Sequence, residues 1–380
     1  MLNPFDFQLR TRLVFGAGTV EQLGHFAREL RFRKPLLVAD HGLRAAGHVE
    51  RALRLLRAAD LEPVPFHDFD VNPDTVMVER GRAFAAPHGV DAIIGLGGGS
   101  SLDCAKGINF LLTNGGSLAD YQGYGKASQA MLPMIAVPTT AGTGSEAQSY
   151  AVIADAETGL KMACGDSKCA FRLALLDPEL TLSQPAAVTG AAGFDAIAHA
   201  VETAVTTRRT ALSTAFSHEA FRLLSTNFER VLEAPSDVDA RAAMHLGAAF
   251  AGVAIEQSML GAAHACANPL TARYGITHGV ALAILLPHVV RWNAASNRDL
   301  YGPLVAAAMN GGGGTSGNHL AERLVQIGRA GGFPDRLREA GVEEGELAAL
   351  ADLAGRQWTA AFNPVPFGHL DALEVYRCAY

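Results

Sequence analysis

The segment GFDAIAHAVE places Asp195 and His199 four residues apart in an apolar helical stretch, so both side chains leave one face towards an interior. A buried carboxylate beside a buried imidazole needs partners. Two more histidines lie in HACANPLTARYGITHG: His264, near a helix end, and His278, beyond Pro269 and Gly275, where a bend could return the second to the first. Three imidazoles and one carboxylate, with no thiolate, form a donor set suited to Zn²⁺ or Fe²⁺. On spacing alone, a buried hydrogen-bonded pair is the simpler account of Asp195 and His199, because no dense motif such as HExxH accompanies them. The remaining histidines, among them His25, His48, His67 and His369, read as surface or packing residues.

A second constellation in the first half of the chain shifts the balance towards a metal. GLGGGSSLD (95–103) follows an apolar strand pattern and opens a helix pattern, which sets Gly98, Gly99 and Ser100 at a helix N-terminus where a phosphate could sit. It is not the dinucleotide fingerprint, since Ser100 holds the last glycine position, and a tight strand-to-helix turn would use the same residues. PTTAGTGSE (138–146) also follows a strand pattern and offers hydroxyls from Thr139, Thr140, Thr143 and Ser145. Loops that follow parallel strands emerge at the carboxyl edge of a sheet, where such sheets bind ligands. Asp40 ends an early strand pattern; there a carboxylate can accept from an adenosine ribose and repel a 2′-phosphate, favouring NAD over NADP, or simply cap a turn. Asp103 and Lys106, three apart after the first loop, have the spacing of an ordinary surface pair.

The elements that must position these residues follow from periodicity. Up to about residue 185, strand patterns at 35–40, 91–100, 131–140 and 171–177 alternate with helical patterns at 42–58 (Val49, Leu53 and Leu56 on one face) and 101–113. After Pro185 the texture is helical, over 190–206, 213–232, 238–257 and 318–331, with no convincing strand. The expected architecture is an α/β domain over 1–185 followed by an all-helical domain over 186–380, with the break in DPELTLSQPAA and chemistry in the cleft between them. The run Gly311–Gly314 reads as a surface loop between helices.

The 380 residues exceed one usual core and fit two domains. Apolar residues make up 49% and charged residues 18%, with 40 glycines and a net charge of −7. This excludes disorder and coiled coil, and scattered lysines and arginines leave no footprint for nucleic acid or an anionic membrane. The start has no basic segment leading into an apolar one, and five cysteines without zinc-knuckle spacing read as reduced thiols. A cytoplasmic, soluble protein with a small-molecule partner is expected.

GGGSSLDCAK, VPTTAGTGSE, DPELTL, GFDAIAHAVE and HGVALAILLPHVVRWN, in this order, resemble the iron-containing (group III) alcohol dehydrogenases, over about Phe15 to Pro364. The resemblance implies a Rossmann-like N-terminal domain and an all-α C-terminal domain in a dehydroquinate synthase-like architecture, NAD, a divalent metal (Fe²⁺, with Zn²⁺ as the alternative) and a homodimer. By motif it implies Asp195, His199, His264 and His278 as metal ligands and catalytic centre. Cofactor contacts would come from Asp40, Asn72, Gly98, Gly99, Ser100, Asp103, Thr139, Thr140, Thr143, Lys161 and Leu180. Many relatives carry a second histidine four residues after the one matching His264; here that position is Asn268, whose amide cannot relay a proton as imidazole does. The expected reaction is reversible hydride transfer between NAD and a small alcohol or aldehyde. Glycerol dehydrogenase, maleylacetate reductase and hydroxyacid–oxoacid transhydrogenase chemistry are the near alternatives. A dehydroquinate synthase-like lyase would need a basic cluster, for which Arg208, Arg209 and Arg273 are the candidates, and a non-catalytic nucleotide binder finds its only encouragement in Asn268.

Overall fold

A computed structural model describes residues 4–297, 299–308 and 317–380, so the glycine run at 311–314 lies outside the described residues. The chain forms two compact units. One comprises residues 8–140 and 144–184, and the other 1–7, 141–143 and 185–380, so that two short segments of the first half group with the helical unit.

The first unit holds strands β1 (Arg12–Phe15), β2 (Pro35–Val38), β3 (Val64–Phe66), β4 (Ala92–Gly97), β5 (Gly123–Tyr124), β6 (Met134–Pro138), β7 (Tyr150–Ala154), β8 (Lys161–Gly165) and β9 (Leu173–Leu176). Its helices are α1 (Leu23–Glu29), α2 (His41–Ala45), α3 (His48–Ala58), α4 (Thr75–Ala85) and α5 (Gly99–Asn114). Six strands make a parallel sheet in the order β1-β9-β6-β4-β2-β3. Strands β2, β4, β6 and β9 are buried throughout, as expected when helices cover both faces of a parallel sheet. The helical pattern at 42–58 is two helices, because Gly47 adopts φ 82° and breaks the first before α3 begins. Strands β7 and β8 pair antiparallel in a small second sheet with β5. The sequence reading had no element there, and it also lacked β1 and β3, which are four and three residues long.

The second unit contains α6 (Ala186–Thr203), α7 (Ala211–Glu233), α8 (Val238–Ser258), α9 (Ala262–Tyr274), α10 (His278–Ser296), α11 (Gly302–Ala308), α12 (Gly317–Ala330), α13 (Leu347–Gly355) and α14 (His369–Ala379), with no strand among the described residues. One apolar core runs through α6–α14, from Phe194 and Phe221 to Leu324 and Tyr376. Helix α8 is long and apolar enough to span a membrane, but most of that stretch is buried within this core. Gly279 lets α10 close on α6, since a methyl there would overlap the Ala191 carbonyl.

Candidate metal centre and dinucleotide loops

Helix α6 presents Asp195, His199 and Glu202 at i, i+4 and i+7, one continuous stripe on a helix buried nearly all round. Helix α9 supplies His264 in its first turn and ends at Gly275 in the left-handed conformation (φ 65°). That turn lets α10 begin three residues later with His278 as its first residue. The four expected residues therefore meet: Asp195 Oδ1 lies 3.3 Å from His199 Nε2, 3.5 Å from His264 Nε2 and 3.9 Å from His278 Nε2. Donors held roughly 2.1 Å from a tetrahedral ion stand about 3.4 Å apart, so these separations are those of a coordination shell. Asp195, His199 and His264 are the tightest group, and half-buried His278 stands at its edge.

Two converging atoms, Asp195 Oδ1 and His264 Nε2, are buried without a hydrogen-bond partner. Orphaned buried polar atoms are costly, and a cation would satisfy both at once. The donors present thus fit a divalent ion. Burial works against ionisation of Asp195, yet the surrounding imidazoles of His199, His264 and His278 outweigh it and hold the carboxyl below the usual range. Burial likewise lowers the His199 pKa, with the Asp195 charge opposing it, which favours the neutral imidazole a metal requires.

Glu202 was missed by the sequence reading, although its place three residues after His199 on the same stripe was a signal. It is 4% exposed; Oε2 accepts from His264 Nδ1, and Oε1 accepts from the Ala263 amide at 2.7 Å. Burial works against charge on His264, yet the Glu202 and Asp195 carboxylates outweigh it and push its pKa up to about 9, so without a metal the ring carries a proton on Nε2 as well; accepting from Nδ1 leaves Nε2 as the nitrogen whose proton a metal would replace. The same carboxylate satisfies an orphan amide at the start of α9, and a Cβ at Gly261 would sit 3.0 Å from its Oε1. His278 has Thr271 Oγ1 within 3.4 Å of Nδ1. Asn268 donates to Gln357 Oε1 at 3.1 Å and is half-buried. The arginines that a lyase would need are each engaged by other groups. Arg208 lies over the Phe362 ring, Arg209 donates to the carbonyls of Val205 and Thr206, and Arg273 pairs with Glu346.

In the α/β unit Gly97 of β4 pairs in register with Pro138 of β6, so the two loops leave adjacent strands side by side. Gly97 has φ 141°, and a side chain there would collide with Ser101 and Leu43. Gly98 caps α5 and lies against Thr140, 3.0 Å from where its Cβ would be. The amides that begin the 16-residue α5, at Gly99 and Ser100, have no partner within the helix, the arrangement that suits an anion. Asn72, exposed with φ 54°, donates its amide to Ser100 Oγ at 3.0 Å. Asp40 caps α2 by accepting from the Leu43 amide and takes a second hydrogen bond from Ser101 Oγ. Thr139 donates its amide to the Gly97 carbonyl, half-buried Thr140 faces Gly98, and Thr143 falls in the segment that groups with the helical unit. Leu180 is 1% exposed in the core, which leaves its side chain no free surface.

Asp103 and Lys106 are not a surface pair. Lys106 is wholly buried, and its Nζ donates to Ser145 O and Oγ at 2.8 Å each and to Tyr150 O at 2.7 Å; Ser145 Oγ in turn donates to Asp103 Oδ1 at 2.6 Å. Three acceptors match the three ammonium protons, so the charge is buried without an orphan. This network ties α5 to the second loop, and helical spacing could not show it because Ser145 and Tyr150 arrive from another part of the chain. Burial pushes the Asp103 pKa up, with Lys106, Ser145 and then Lys161 of β8 opposing the rise.

A parallel α/β unit with paired carboxyl-edge loops, joined to a helical unit with a cation-shaped donor cluster, is the form of a metal-dependent dinucleotide oxidoreductase. Residues 10–178 match the family described as iron-containing alcohol dehydrogenase, and residues 189–380 match its C-terminal part. The chain is 32% identical to 1,3-propanediol dehydrogenase of Klebsiella pneumoniae, covering 99% of both proteins. It is also 32% identical to NAD-dependent methanol dehydrogenase of Bacillus methanolicus, covering 94% of this chain and 95% of that one. Among solved structures, 1,3-propanediol oxidoreductase superposes with a TM-score of 0.94 at 32% identity over all of both chains. Sulfoacetaldehyde reductase from Bifidobacterium kashiwanohense in complex with NAD⁺ does so with a TM-score of 0.88 at 25% identity over 99% of both. The chain belongs to the iron-containing alcohol dehydrogenase family. It is an NAD-linked alcohol or aldehyde oxidoreductase that uses a metal.

Proposed function

We propose that Asp195, His199, His264 and His278 hold iron(II), with zinc able to replace it, and that the loops after β4 and β6 hold NAD. The convergence of three histidine Nε2 atoms on one orphaned carboxylate oxygen carries this reading. When bound, the cation polarises the substrate oxygen and the nicotinamide gives or accepts the hydride. This chain's own residues do the rest. Glu202 keeps the His264 proton on Nδ1, the amides of Gly99 and Ser100 face the pyrophosphate, and Asp40 receives the ribose hydroxyls. Lys106 holds Ser145, and through it the second loop, against α5. At the position where many relatives carry their second histidine, the Asn268–Gln357 amide pair can orient a hydroxyl but cannot carry a proton as imidazolium does.

The substrate class is a short alcohol or aldehyde, the kind for which the relatives are named, in a homodimer. Four buried free thiols and one exposed support a reducing, cytoplasmic setting. The test is chelator-stripped protein reconstituted separately with Fe²⁺ and Zn²⁺, assayed for NADH oxidation on short aldehydes alongside metal stoichiometry. Activity and one metal per chain, both lost in His264→Ala, are expected. Activity indifferent to metal, or retained in His264→Ala, would overturn the assignment.

A further inference from the structure

The helical unit carries a second cluster of charge that the redox chemistry does not use. A cavity of about 270 Å³ opens between α10, α12 and the end of α14, lined by His288 and Arg291 of α10, Arg329 of α12, Asp335 and Arg336 of the following segment, and Cys378. His288 lies ten residues along α10 from His278, roughly 15 Å at the helical rise, so the cavity is separate from the donor cluster.

Three guanidinium groups meet one lining carboxylate in a chain whose net charge is −7. Arg329 and Asp335 satisfy each other through a bidentate pair, Nε donating to Oδ1 at 3.1 Å and Nη2 to Oδ2 at 2.8 Å, and Glu339 accepts from the Asp335 amide. Arg291 and Arg336 are left with no hydrogen bond or ion pair to any side chain among the described residues. Burial and then the charges of these two arginines push the His288 pKa down to about 4, so the ring is neutral and keeps one N–H to donate. Asp335 also feels the Arg336 charge, but one carboxylate against three guanidinium groups leaves the cavity positive, and the guanidinium fork matches an oxyanion in geometry as well as charge. The volume lies just under the roughly 300–1,000 Å³ of drug-sized ligand sites, which suits a small ion.

We propose that this cavity is an oxyanion site, in which Arg291 and Arg336 grip a phosphate-class anion and His288 donates to it. The occupant is a free inorganic ion or the phosphoryl or carboxyl group of a small metabolite. All of these share the oxyanion that the two guanidinium groups would recognise.

Calorimetric titration of the metal-loaded, NADH-saturated enzyme with inorganic phosphate, sulfate and acetate, against chloride at matched ionic strength, tests it. Saturating the dinucleotide loops and the metal keeps those sites from competing. One phosphate per chain is expected, with acetate weaker, and affinity about tenfold lower in Arg291→Gln/Arg336→Gln while alcohol oxidation is unchanged. Acetate binding as tightly as phosphate would support a carboxylate-bearing occupant of the same site. Arg336 is exposed, so Arg336→Gln alone keeps the test alive if the double variant does not fold. Labelled histidine gives an independent readout, because phosphate should shift the His288 ring resonance and raise the pH at which it titrates. No binding beyond chloride, equal binding by the variants, or an unmoved His288 would overturn the proposal.

Discussion

Glu202→Gln isolates the positioning of a ligand from the presence of a ligand. In the native protein the carboxylate accepts the His264 Nδ1 proton, leaving Nε2, beside Asp195, as the nitrogen that would give up its proton to a metal. An amide can keep the Ala263 hydrogen bond through its oxygen, but its NH₂ then faces Nδ1 as a donor. The imidazole must turn its acceptor to Nδ1 and its proton to Nε2, where a metal would bind. Loss of such an outer partner ordinarily costs about 10–100-fold in metal affinity, or about 1.4–2.7 kcal/mol, and the enforced tautomer places this variant at the upper end. Glu202→Asp keeps the acceptor and should fall between variant and wild type. Calorimetric titration of stripped protein with Zn²⁺ measures the affinity, and urea unfolding of the same stripped samples separates any folding loss. If Glu202→Gln binds zinc within a factor of about three of wild type while remaining folded, the tautomer argument is wrong.

Lys106→Met removes a buried ammonium of similar length and strands the Ser145 and Tyr150 carbonyls; urea unfolding should show a loss of about 3–5 kcal/mol, with a raised KM for NAD. Burial raises the Glu146 pKa to about 7, so its contribution to stability is full below the unfolded value of 4.5 and is lost as pH rises through 7, a change of about 3 kcal/mol. Glu146→Gln should flatten that part of the stability-against-pH curve, and an unaltered curve would assign the dependence elsewhere. Gly279→Ala forces α10 away from the Ala191 carbonyl beside His278; a loss of about 1–3 kcal/mol in unfolding free energy and weaker zinc binding are expected, and wild-type values would show that the helices can part without cost.

The apolar strands at 35–38, 92–97, 134–138 and 173–176 were legible because a parallel strand covered on both faces is a continuous hydrophobic run with few other meanings. The long amphipathic and Ala-rich helices were legible for the same kind of reason, since a 3.6-residue period survives over many turns. Strands β1 and β3 are too short to show a period, and β7 and β8 acquire their place only by pairing with each other. Residue types and the four-residue spacing named Asp195 and His199 as partners in need of others. The motif offered His264 and His278 as those others, but that they converge, and by which ring nitrogen, was decided by the Gly275 turn and by Gly279 seating α10 on α6. Lys106 shows the limit most plainly: its sequence neighbours suggest a solvated ion pair, whereas its actual acceptors lie 39 and 44 residues away. Local propensity and hydrophobic period are properties of a segment and can be read from it. The satisfaction of a buried charge depends on groups brought from distant segments, so only the packed tertiary structure determines it.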